Sequence, residues 1–202
     1  LNLSGSLADN ATLNGTQTLA LSAGSVAIGA GNNTANNGVD IPATDQRGLG
    51  REATVDIGAF EEQTDVTNPT VSSFTTATAT GSYKAGEDIV ITANTNESVV
   101  SGNSITVTLN NTTNTTVALT AASNGTTMVG TYTVAAGNNT ASLAVSSFTI
   151  GTVADLAGNA MTSTTVPSGA NMFSSKTIVI DTTAPTVSSF TTATATGSYK
   201  AG

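Results

Sequence analysis

Residues 69–86 and 185–202 both read PTVSSFTTATATGSYKAG, 18 identical positions at a spacing of 116. Identity over that length does not arise by chance, so the fold has to be a unit of about that spacing that can be strung along a chain more than once. The likeness extends upstream, where Asp65-Val66-Thr67-Asn68 corresponds to Asp181-Thr182-Thr183-Ala184 with Asp and Thr retained. In the first copy Gly86 runs on into Glu87-Asp88-Ile89-Val90-Ile91, so residues 181–202 read as the truncated start of a next repeat. The chain then reads as an internal piece of a longer repetitive protein, in three regions: 1–64, 65–180 and 181–202.

Within 65–180 the pattern is that of strands and turns. Ile105, Val107 and Leu109 alternate with Thr106 and Thr108, which places three aliphatic side chains on one face and hydroxyls on the other. Ile89, Ile91 and Ala93 repeat the alternation, as do Met128, Gly130, Tyr132 and Val134. Seven strands are expected, at about 70–75, 87–95, 104–109, 115–120, 126–134, 140–150 and 172–180. Seven strands in a unit of this size suit an immunoglobulin-like sandwich of two antiparallel sheets. Breaks such as Ser101-Gly102-Asn103, Ser123-Asn124-Gly125 and Gly137-Asn138-Asn139 suit tight turns. No stretch sustains a helical period.

Composition narrows the function. The chain has no Cys, His or Trp, and five basic residues against thirteen acidic ones give a net charge of −8. That charge repels phosphate backbones and anionic headgroups, so nucleic acid is not an expected partner. No apolar run approaches the roughly 18 residues that cross a bilayer, so no membrane insertion is expected of these residues. An abundance of Thr, Ser, Asn, Ala and Gly with Val and Ile is the chemistry of extracellular or cell-surface β-proteins.

Five motifs in order carry a resemblance. Gly81-Ser82-Tyr83-Lys84-Ala85-Gly86, Asn96-Glu97-Ser98-Val99, Ala154-Asp155-Leu156-Ala157-Gly158-Asn159, Lys176-Thr177-Ile178-Val179-Ile180 and Asp181-Thr182-Thr183-Ala184-Pro185 together resemble a bacterial immunoglobulin-like repeat. Such repeats occur in tandem in large adhesins and biofilm-associated surface proteins, and as spacers in secreted enzymes. The resemblance covers about residues 65–180 and implies a tandem stalk whose partners are neighbouring repeats of the same chain and a host or environmental glycan or protein.

Residues 1–62 differ in character. Thr18–Gly31, Ala43–Arg51 and Val55–Glu61 resemble the C-terminal end of a right-handed parallel β-helix of polymorphic outer-membrane-like and filamentous surface proteins. Val26 and Gly29 stand where that pattern has Pro and Asp. A solenoid rung buries its apolar face only against neighbouring rungs, so a last rung needs a cap. The Asp45–Arg51 loop is the expected cap, and Val55, Ile57 and Ala59 or Phe60 the final strand.

Catalytic chemistry finds little to work with. Without His or Cys there is no ordinary triad, thiol nucleophile or His-bearing metal site, and the chain is read as a non-enzyme. Glu61 and Glu62 are adjacent, which on a strand sends them to opposite faces. Asp40, Asp45 and Asp56 remain as acids that a β-helix groove could bring together, and Lys84 or Lys176 as donors for an isopeptide bond. The stronger candidate is a calcium site. In a sandwich the starting end of the first strand lies beside the loops that carry Glu97, Asn124 and Asp155 with Asn159, while Asp65 precedes that strand. Oxygen ligands alone suit a hard cation, and Asp181 is the equivalent acid for the next repeat. The same acids can serve equally as caps of their own turns. Asn10, Asn14, Asn96, Asn111 and Asn138 each begin an Asn-x-Thr or Asn-x-Ser triplet, ascribed here to composition. Three function classes follow: a structural stalk or adhesive segment, an accessory region of a secreted polysaccharide-active β-helix enzyme, and a glycan- or ice-binding module with a Thr-rich sheet face.

Overall fold

The computed structural model describes residues 3, 5–10, 15, 17–32, 34, 40–172 and 176–202. The chain divides into two compact units, Leu1–Asp65 and Val66–Gly202. No helix among the described residues is long and apolar enough to cross a membrane.

The second unit is all β. Its strands are β1 (Val71–Thr75), β2 (Gly81–Tyr83), β3 (Asp88–Val99), β4 (Ser104–Leu109), β5 (Thr116–Thr120), β6 (Gly125–Thr133), β7 (Val145–Ile150) and β8 (Ile178–Ile180). Six of them form one sheet in the order β1-β3-β6-β5-β4-β7, with every neighbouring pair antiparallel. β2 and β8 pair separately and in parallel. The large sheet curls into a near-closed barrel. Its two edge strands approach inside, where the rings of Phe74 on β1 and Phe148 on β7 meet edge to face at 5.7 Å.

Alternation decides which face closes inward. Ile89, Ile91 and Ala93 on β3, Ile105, Val107 and Leu109 on β4, Leu119 on β5 and Met128 on β6 are all fully buried. Apart from Ala93, each such side chain contributes roughly 1.5–3 kcal/mol through the area it removes from water. The sheet turns its corner between β5 and β6, which share a single pair, Thr120 with Val129. Gly130 makes that corner possible, because a Cβ there would stand 2.2 Å from the Ala118 carbonyl oxygen. Many outward positions are hydroxylic and in register, with Val90, Ala118 and Val129 as exceptions: Thr75 faces Thr92, Thr108 faces Thr116 and Ser147, and Thr106 faces Thr149.

The strand expectations need four adjustments, the first being that β3 runs to Val99 rather than ending at 95. β2 was not foreseen, since three residues beginning with Gly show no alternation. β7 begins at Val145 rather than 140, because Thr140–Ser142 turns on its own hydroxyl, the Ser142 N–H donating to Thr140 Oγ1 at 3.4 Å. β8 is only Ile178–Ile180, and residues 173–175 of the expected strand lie outside the described residues.

The first unit contains no named strand among its described residues. Its isolated bridges, Leu3 with Leu21, Ala8 with Thr18 and Thr44 with Gly50, are all antiparallel. The parallel stacking of β-helix rungs is not seen among them, and the buried apolar cluster is small, Leu21, Ala27 and Phe60 with Ala20 packed against it. So few apolar side chains cannot hold rungs against one another by burial alone. Polar groups occupy the interior instead. Asp45 accepts the backbone N–H groups of Arg47, Leu49 and Glu61 and the Arg47 Nε at 2.7 Å. Arg47 lies over the Phe60 ring, 3.7 Å from its centroid. Fully buried Glu61 accepts from Arg51 Nη1 at 2.8 Å and from the backbone of Glu52 and Asp56. The Asp45–Arg51 loop is thus tied down by its own charges. Burial pushes the Asp45 carboxyl up, and its hydrogen bonds from Glu61, Arg47 and Leu49 outweigh that and hold it below its ordinary value.

Candidate metal centre

Glu97 stands near the end of β3 in the register shift between Asn94 and Val99, where the strand departs from its partner β6. A bulged strand turns its side chains away from regular alternation. Val99, just beyond, bridges to Asp155, and the Val100 N–H donates to the Ala154 carbonyl at 3.0 Å. These contacts fasten the Ala154–Asn159 turn to the end of β3. Asp65 is the residue at which the chain passes into the second unit, four positions before buried Pro69. One carboxylate oxygen from each of Asp65, Glu97 and Asp155 lies within 4.8 Å of the others. Asp65 is exposed, Glu97 half-buried and Asp155 buried at 2% exposure.

The turn carrying Asp155 is self-capped. Its Oδ1 accepts the N–H groups of Gly158 at 2.6 Å and Asn159 at 2.8 Å, and its Oδ2 accepts the Asn159 side-chain amide at 2.8 Å. Gly158 takes a φ of 99°, which closes the turn and which other residues rarely adopt. Burial pushes the Asp155 carboxyl up, but the Asn159 side chain and the backbone N–H groups of Asn159, Gly158 and Ala157 outweigh it and leave it below its ordinary value. Asp155 is therefore an anion at neutral pH. The two readings of the sequence are compatible, since Oδ1 takes both turn N–H groups while Oδ2, which accepts the Asn159 amide, keeps a lone pair.

Three carboxylates this close repel one another. A divalent cation with 6–8 oxygen ligands relieves that repulsion. Of the five residues expected at this junction, Asp65, Glu97, Asn124, Asp155 and Asn159, the three acids come together, and Asp181 is the acid expected for the next repeat. Asn159 enters as the donor that positions Asp155. Asp181 lies at the other end of the unit, where its N–H donates to Tyr83 O and its Oδ1 accepts from Thr183 N–H at 2.9 Å. Asn124, also expected nearby, is turned to the Ser101 N–H.

The remaining candidates have structural occupations. Asp56 accepts the backbone N–H groups of Gly29 and Glu62, and exposed Asp40 lies apart from it in the chain. Lys176 Nζ donates to the carbonyls of Ala77 and Thr78 rather than to an amide side chain. Asn111 and Asn138 are 2% and 3% exposed, with their amides bound in a buried cluster around the Tyr132 hydroxyl, so the folded unit does not present them as glycan acceptors. Asn14 lies outside the described residues. Compared with protein families, with curated proteins and with solved structures, the chain finds no match.

Proposed function

We propose that this chain is a load-bearing segment of a large bacterial surface protein: the end of a parallel β-helix, an immunoglobulin-like sandwich of residues 65–180, and the beginning of another. Its work is to space or present an adhesive region outside the cell. The observation that carries this reading is the repeat. The segment that recurs after 116 positions is the one that forms β1 and β2, the strands with which the second unit begins.

The strand directions support a mechanical role. β1 starts opposite Thr95 near the end of β3, whereas β8 finishes beside Tyr83 near the beginning of β3, so the second unit's two connections leave at opposite ends. Tension between residues 66 and 181 runs along β2 and β8, parallel neighbours, and loads their hydrogen bonds in shear together rather than one after another. Gly81 N–H to Thr177 O at 3.1 Å and Asp181 N–H to Tyr83 O at 3.0 Å belong to that set. For the first unit, the groove bordered by Leu3, Leu7, Leu21, Ile57 and Phe60 is the kind of apolar surface that a further rung covers. Its antiparallel bridges weigh against the β-helix part of the reading.

Force spectroscopy tests the proposal. Pulling between residues 66 and 181 is expected to release about 40 nm of chain in one step, and Gly81→Pro, which deletes one sheared N–H, should lower the force. An unchanged force removes the clamp, and turnover of a sugar polymer by the purified chain removes the non-enzyme reading. Calcium at Asp65, Glu97 and Asp155 is part of the same proposal, as a tie between the linker and the β3 end. It should raise the melting temperature, and Asp65→Ala should weaken the rise; melting curves that coincide with calcium and with chelator sink it.

A second reading has one observation in its favour, the outward hydroxyl rows. Ser73, Thr75, Thr92, Thr131, Thr106 and Thr149 lie on the outer face of the large sheet, which suits a glycan surface. Retention of the chain on insoluble polysaccharide, abolished by Thr92→Lys, would favour it.

A further inference from the structure

Both ends of the second unit are fastened by an asparagine. At the entry, Thr70 N–H donates to Asn96 Oδ1 at 2.6 Å and Asn96 N–H donates back to Thr70 O at 3.1 Å. At the exit, Thr182 donates twice to Asn139 Oδ1, from its N–H at 2.8 Å and from its hydroxyl at 3.1 Å, and its Oγ1 accepts the Gly137 N–H at 3.0 Å. Thr182 is half-buried between exposed Asp181 and Thr183.

The exit fastening rests on the core. Thr112 donates to Asn139 O through its N–H at 3.0 Å and its hydroxyl at 2.9 Å. Beside it, Asn138 Oδ1 accepts the Tyr132 hydroxyl and the Ala135 N–H, and its amide donates to Thr113 Oγ1. Tyr132 is 1% exposed, so the Ala135–Asn139 turn is held from inside by a ring that packing keeps in place. A side chain so supported can position what it touches. Val66 stands at the place before the unit that corresponds to Thr182, and it has no hydroxyl with which to make the same contacts.

We propose that the joint leaving this unit is stiff and that Thr182 is the residue that fixes its direction. The proposal rests on reading residues 181–202 as the start of a next repeat. The spacing of 116 makes Thr186 the counterpart of Thr70, fastened in turn by the next repeat's counterpart of Asn96. Only Thr183, Ala184 and Pro185 lie between the two fastened threonines. None of them turns freely. Thr183 N–H is bound to Asp181 Oδ1 at 2.9 Å, Pro185 has a fixed φ, and Ala184, as the residue before it, is confined to extended conformations. The four steps from 182 to 186 span at most about 14 Å, too little for a loop that folds back on itself. Repeats joined in this way keep their mutual angle, so the reach of the stalk grows in proportion to their number and not with its square root.

Distances between spin labels test the joint, since the chain has no Cys of its own. With labels at Thr116→Cys, exposed on β5, and at Ala184→Cys, two residues past the fastening, the distance distribution should be narrow. Thr182→Val keeps the shape of the side chain without its hydroxyl. It should broaden the distribution and speed exchange of the Gly137 amide, while the unit still melts in one transition. Thr182→Ser should restore both, and Thr183→Val, which removes a hydroxyl outside the fastening, should change neither. At the entry, Asn96→Ala should speed exchange of the Thr70 amide. A broad distribution before any change at 182, equal widths in Thr182→Val and Thr183→Val, or an unchanged Thr70 rate in Asn96→Ala overturns the proposal. Each of these outcomes is independent of the stalk reading, which the pulling force tests.

Discussion

The two units solve the same problem with different chemistry. In Val66–Gly202 the interior is a continuous, largely aliphatic cluster of more than twenty buried side chains drawn from strands β1 and β3–β8 and from the connections between them. Among the described residues of Leu1–Asp65 the apolar cluster is Leu21, Ala27 and Phe60, and Asp45, Arg47, Asp56 and Glu61 are buried beside it. Aliphatic burial tolerates error because it has no direction. Buried charges do not, since each must keep its partner or stand uncompensated in a poorly solvated place. The comparison teaches that a short, loop-rich segment can be held by a few directed interactions, at the cost of depending on every one of them.

The largest expected effect breaks the first unit alone. Glu61→Ala removes the acceptor of Arg51 and of two backbone N–H groups and should cost about 3–5 kcal/mol, the range for breaking a buried ion pair. A unit of this size is stable by only about 3–9 kcal/mol, so calorimetry should show its transition lost while that of the second unit stays. Ile91→Ala is the matching lesion in the aliphatic core. It should cost about 2–5 kcal/mol through lost burial and a cavity, and leave the first unit's transition in place. If both substitutions shift both transitions equally, the contrast between the units is wrong.

Smaller effects sharpen it. Tyr132 is the second unit's one deeply buried phenol, donating to Asn138 Oδ1 at 2.7 Å and accepting from Asn111 Nδ2 at 2.9 Å. Tyr132→Phe strands those amides and should cost about 1–3 kcal/mol in denaturant unfolding. Burial raises the Tyr132 hydroxyl pKa above its ordinary value of 10.0, so stability should fall as the pH rises through and beyond that value, a loss that Tyr132→Phe abolishes. Acid acts in the opposite sense on the first unit. The depressed Asp45 carboxyl contributes its full stabilisation above the unfolded value of 3.8, and that contribution is lost as the pH falls through the folded one. Asp45→Asn should flatten that part of the first unit's acid melting profile.

Much of the second unit was legible because its signal is local. Ile105, Val107 and Leu109 alternate with threonines, and the strand that results buries those three positions and no others between them. The additional strand, β2, was not legible, because Gly81–Tyr83 becomes a strand only by lying beside Ile178–Ile180, almost a hundred residues away. Glu97 was placed in a loop and stands on β3, since a register shift carries that strand past the residue where its alternation ends. Arg47 over Phe60 had no periodic signal at all; spacing along a chain does not encode which ring a guanidinium will cover.

The sequence by itself determined the strand chemistry, the absence of thiol and imidazole groups, and the identity of residues 69–86 with 185–202, because each is a property of side-chain order. Only the tertiary structure decided that the sheet curls until Phe74 meets Phe148, and that Asp65, Glu97 and Asp155 converge. Those outcomes depend on which distant segments become neighbours, and the free energy of such pairings lies in the contacts, not in either segment alone.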